Sequence, residues 1–104
     1  MKVLLTTPLR QYTGEIIKDG EADLMIRIIF LRALSIGGDQ DTTWTEKARQ
    51  YALGLKIASS SDEVDLEVDE LKILKDLVSK AFSSLLAGQV GKMLDGLPTG
   101  IMPK

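Results

Sequence analysis

Leu24-Met25-Ile26-Arg27-Ile28-Ile29-Phe30-Leu31-Arg32-Ala33-Leu34-Ser35-Ile36 is the longest apolar-rich stretch of the chain. On a helical wheel Asp23, Arg27, Arg32 and Ser35 fall within one half, and Leu24, Ile28 and Leu31 lie inside that same half. Met25, Ile26, Ile29, Phe30, Ala33 and Ile36 cover the rest. A helix that is apolar nearly all round must be covered nearly all round. The pattern predicts a first helix over about residues 22–36, ended by Gly37-Gly38, with Asp23 and Arg27 paired four residues apart. Such a helix is either the centre of the domain or an interface to another protein. Under the interface reading, Leu24, Arg27, Ile28, Leu31 and Arg32 are the candidate self-association surface. The stretch cannot span a bilayer, which takes about 20 apolar residues, and two arginines interrupt it.

On the N-terminal side, residues 2–7 (KVLLTT) read as a short strand ended by Pro8, and residues 15–18 (EIIK) as a second. Thr13-Gly14 and Asp19-Gly20 are turn signals, so a small hairpin of these two strands is the simplest arrangement. Arg10 and Tyr12 stand on the loop between them. The opening residues carry only a three-residue apolar run, not the roughly 7–15 of a secretory signal. The expectation is a cytoplasmic protein.

On the C-terminal side, residues 37–42 read as a loop and Thr43-Trp44-Thr45-Glu46 as a capping box that opens a second helix reaching about Ala58. Trp44, Ala48, Tyr51 and Leu55 recur on one face of it. Trp44 is then either a core anchor with its N–H at the surface or, beside Tyr51, an interface anchor. Val64, Leu66 and Val68 alternate with Asp65 and Glu67, the period of a half-buried strand, short enough to be an edge or third strand beside the N-terminal hairpin. Asp69 is placed to cap a third helix over about residues 70–82, with a stripe of Leu71, Leu74, Val78, Ala81 and Phe82. Ser83-Ser84 marks the junction to a fourth helix over about 85–95, with one long bent helix left open. Residues 96–104 (GLPTGIMPK) read as a flexible tail. The class is α+β: about four helices with a two- or three-stranded antiparallel sheet, in one domain over 1–95.

Histidine and cysteine are both missing from the 104 residues. That removes the side chain that titrates near neutrality, the thiolate nucleophile and the softer metal ligands. A net charge of −2 argues against nucleic-acid binding, which needs a basic surplus on one face. Asp62, Glu63, Asp65, Glu67, Asp69 and Glu70 crowd the segment 62–70 without a base among them. The run lacks the mid-loop glycine of a calcium-binding loop and reads instead as a solvated or partner-binding edge. Gly88-Gln89-Val90-Gly91 lacks a phosphate-loop frame and reads as close helix packing. No pair among the 15 acids singles itself out for acid–base catalysis. No catalytic residue, metal ligand or cofactor is assigned, and the chain is expected not to be an enzyme. Arg10, Tyr12, Trp44, Tyr51, Asp62, Glu63, Asp65 and Glu67 are the candidate partner surface.

Several of these segments stand in a familiar order. Pro8-Leu9, Tyr12, Gly14, Ile17, Asp19-Gly20, the apolar helix, Val64-x-Leu66-x-Val68-Asp69-Glu70, Leu74, Lys80-Ala81-Phe82 and Gly88-Gln89-Val90 together resemble small proteins of tailed bacteriophages and prophages. The likeness spans most of residues 1–95 and implies a setting in a bacterial host, with no catalytic residue to carry over. The expected function is a non-enzymatic phage or prophage protein that acts through protein–protein contacts. It would self-associate as an assembly or virion-associated component, with no nucleic acid or membrane as partner. The alternatives are an early accessory protein that binds and inhibits or redirects a host protein, and a small ligand- or nucleotide-binding module.

Overall fold

The computed structural model describes residues 1–36 and 42–95. Along the chain run β1 (Lys2–Leu4), β2 (Lys18–Asp19), β3 (Ala22–Asp23), α1 (Ile26–Ile36), α2 (Trp44–Ser59), β4 (Glu63–Asp65), α3 (Val68–Ala81) and α4 (Ser84–Leu94). The fold is mostly helical, with two small two-stranded antiparallel sheets. The expected loop over 37–41 and the expected tail over 96–104 lie outside the described residues.

β1 pairs with β4, in the register Lys2↔Asp65, Val3↔Val64 and Leu4↔Glu63. The Leu5 N–H donates to the Asp62 carbonyl at 2.6 Å and the Leu66 N–H to the Met1 carbonyl at 2.7 Å, so bonding continues past both ends. Val3, Leu5, Val64 and Leu66 all turn into the core, as period-two alternation requires. This corrects the expected hairpin between residues 2–7 and 15–18. The hairpin is β2 with β3, around Gly20, whose φ of +70° suits a residue without a Cβ. Val68 also leaves the expected strand. It opens α3 with 76% of its surface exposed.

Three segments meet through a ring of backbone bonds. The Leu9 N–H donates to Leu24 at 2.8 Å, the Leu24 N–H to Ile17 at 2.8 Å and the Ile17 N–H to Leu9 at 2.9 Å. Leu24 is thus engaged in strand-like bonding, which is why α1 starts at Ile26 and not near Ala22. The first N–H groups of a helix have no partner inside it. Here those of Ile26 and Arg27 donate to the carbonyls of Thr7 and Leu5, at 2.9 and 3.2 Å. The expected Asp23–Arg27 pair is replaced by Lys18–Asp23 at 2.6 Å.

α1 packs against both α2 and α3, and α4 lies on α3. Its stripe Ile26, Ile29, Phe30 and Ala33 is fully buried, against Leu53 and Ile57 of α2 and Leu74, Leu77 and Val78 of α3, within one continuous core. α3 begins two residues earlier than expected. Glu67 occupies the cap in place of Asp69, and its N–H donates to Glu70 Oε1 at 2.8 Å. Phe82 and Ser83 are both extended, with ψ of 162° and 170°, so the chain turns there and α3 and α4 are two helices.

Candidate functional site

The inner stripe of α1 leaves an outer side, and its charges are already engaged. The Arg27 guanidinium donates to the carbonyls of Ile57 at 3.1 Å, of Ser60 at 2.8 Å and of Ser61. It ties α1 to the C-terminal end of α2, where a cation also meets the negative end of the helix dipole. Arg32 reaches both oxygens of Asp19, at 3.1 and 3.2 Å. Leu24 is 5% exposed and belongs to the core, which corrects its place on the candidate self-association surface. Ile28 and Leu31 are half-buried and remain accessible.

These two line an open apolar groove of about 390 Å³ with Arg32, Ser35, Ile36 and Phe82. A second groove, of about 260 Å³, lies between α1 and α2. It is lined by Leu31, Leu34 and Ser35 on one side and by Gln50, Tyr51, Gly54 and Leu55 on the other. Leu31 and Ser35 belong to both grooves, so the two form one surface that crosses from the α3–α4 junction to α2.

α2 continues that surface. Leu53 and Ile57 face the core, whereas Trp44, Tyr51 and Leu55 are 86%, 70% and 53% exposed. Ala48, on the same face, is exposed as well. The face that recurs in the sequence therefore points outward, and Trp44 is not a core anchor. Its position at the start of α2 is set by Thr43, whose hydroxyl accepts from the Glu46 N–H at 3.2 Å.

The remaining candidates lie apart from this surface. Asp62, Glu63, Asp65 and Glu67 are exposed around β4. Asp65 accepts from the Met1 amino group at 3.1 Å, and Glu70 from Lys56 at 2.8 Å. Among the described residues no group of three or more acidic side chains is placed to hold a metal ion. Arg10 is engaged by its own loop, donating from Nη1 to the Gly14 carbonyl at 2.8 Å, while Tyr12 stands 77% exposed.

Three residues of consequence were not singled out from the sequence. Ile36 and Phe82 complete the larger groove, one at a helix end and the other just past one, where an apolar stripe gives no indication of facing. Gln89 holds the Arg10 peptide on both sides: its Oε1 accepts from the Arg10 N–H at 2.8 Å, and its Nε2 donates to the Arg10 carbonyl at 2.6 Å. Only the glutamine inside an apolar helix segment hinted at such a contact. No described helix is long and apolar enough to cross a membrane. No family model, curated protein or solved structure matches the chain.

Proposed function

We propose that this chain is a non-enzymatic protein that works by protein–protein contact, and that it associates with itself. The observation that carries this reading is the outward apolar surface of Ile28, Leu31, Ile36 and Phe82, continued by Tyr51, Leu55 and Trp44 on α2. Contiguous apolar patches of more than a few hundred Å² are uncommon on proteins that act alone, and they mark interaction sites. The exposed Trp44 and Tyr51 are of the residue types that dominate binding energy at interfaces. The resemblance to small phage and prophage proteins fits a subunit of an assembly or virion-associated particle in a bacterial cytoplasm. Symmetric closure is the common outcome for such self-association.

A second reading rests on a different feature. The exposed carboxylates Asp62, Glu63 and Glu67 give one edge a negative character suited to a basic face of a host protein. Sedimentation equilibrium of the chain over a hundredfold concentration range tests the first reading. A discrete oligomer supports it. A monomer throughout contradicts it and leaves the acidic edge as the surface to pursue, through capture of host proteins by the chain and its Glu63→Gln/Glu67→Gln variant.

A further inference from the structure

We infer that the partner on α2 is the same helix of a second copy, laid antiparallel against it. The inference rests on the self-association reading and specifies its geometry. Trp44, Ala48, Tyr51, Leu55 and Ala58 follow one another at spacings of 4, 3, 4 and 3 and are all exposed. This is the a/d repeat of a coiled-coil seam, a narrow stripe built to meet one other helix. At about 100° per residue it lies about 180° from Leu53, which faces the core. The helix therefore carries two apolar lines, one used by its own domain and one left over.

The order of residues selects both the occupant and the direction. In an antiparallel pair, a positions layer against d positions of the other copy. Laying Ala48 against the second copy's Tyr51 also places Trp44 against Leu55, and the two-fold axis repeats both layers. Each aromatic ring then meets a smaller side chain, the alternation that fills an interhelical space at normal density. A parallel pair would stack Trp on Trp and Ala on Ala, leaving an overfilled layer beside an underfilled one.

Charge permits the antiparallel pair. The positions flanking the seam are Thr45, Lys47, Ala52, Gly54 and Ser59, so Lys47 lies opposite Gly54 and no like charges meet. The small residues Ala52 and Gly54 allow close approach. A buried aromatic contributes about 150–250 Å², so the seam supplies on the order of 500 Å² per copy. Leu31 and Leu34 on α1, which share a groove with Tyr51 and Leu55, extend it toward the roughly 800 Å² per partner of a standard interface.

The absence of cysteine makes the geometry directly testable. Ala48→Cys sits near the two-fold axis and should form an intermolecular disulfide under mild oxidation. Ala58→Cys lies about 25 Å from its symmetry mate at 1.5 Å rise per residue and should not. Tyr51→Glu should weaken self-association at least a hundredfold while the thermal midpoint, extrapolated to monomer, stays put. Cross-linking at both cysteines means a parallel pair and overturns the inference. An oligomer that survives Tyr51→Glu but is lost in Ile36→Glu also overturns it, while leaving self-association intact. A wild-type monomer at all concentrations overturns both. If Tyr51→Glu does not fold, the two cysteine variants still decide the geometry.

Discussion

α1 and α2 divide their apolar residues in opposite ways. α1 is the more hydrophobic helix, yet its fully buried stripe of Ile26, Ile29, Phe30 and Ala33 is spent on the core, and its arginines bind the end of α2 and the Asp19 carboxylate. α2 is more polar overall, yet it leaves Trp44, Tyr51 and Leu55 in solvent. Total hydrophobicity shows how much surface a helix must cover. It does not show which side is already covered by its own chain. A contact surface is better sought where apolar residues stand opposite a helix's core line than where they are most numerous.

The strongest break in this comparison is Phe30→Ala, which removes the largest fully buried side chain. It should cost about 3–5 kcal/mol in a urea or guanidinium titration, a large share of the stability of a domain this size. A smaller loss would mean that α1 is less central than its packing implies.

Leu53→Ala and Leu55→Ala place the contrast on one helix, two residues apart. Leu53 is 3% exposed, and its truncation should cost about 2–5 kcal/mol. Leu55, 53% exposed, should cost below about 1 kcal/mol in the monomer. Equal losses would remove the distinction between inner and outer face.

Arg27→Met keeps much of the side-chain bulk and removes the guanidinium from the carbonyls of Ile57, Ser60 and Ser61. Hydrogen bonds from a charged group are worth about 1.5–3 kcal/mol. The loss should fall in that range and appear first as faster amide exchange at the C-terminal turn of α2. Gln89→Ala strips two bonds from the Arg10 peptide and should cost about 1–3 kcal/mol. If instead it acts only on association, Gln89 is not the internal clamp described above.

Much of this architecture could be read along the sequence, and the exceptions share a cause. α2 and its Thr43 cap followed from local spacing, as did the α+β class and the position of α4 within a residue or so. Alternation over 64–68 suggests a strand beside the N-terminal ones, but that it takes β1 as partner in place of residues 15–18 leaves no local mark, since the partners lie about 60 positions apart. The start of α1 is hidden from the pattern for a related reason: Leu24 fits a helix by spacing, but its backbone is claimed by Leu9 and Ile17. Of the candidate site, the Trp44–Leu55 face was legible as a face, and its direction was not. Direction depends on where α1 and α3 sit, and Leu53 and Ile57 outcompete the aromatic face for them.

The most direct test is light scattering on a sizing column, with the parent chain and Tyr51→Glu run side by side over a concentration series. The account predicts a discrete dimer for the parent and a monomer for the variant, with identical circular dichroism and, extrapolated to monomer, the same thermal midpoint. A monomeric parent, or a variant that still dimerises with undiminished affinity, would contradict the assignment of the outer face of α2 as the contact surface.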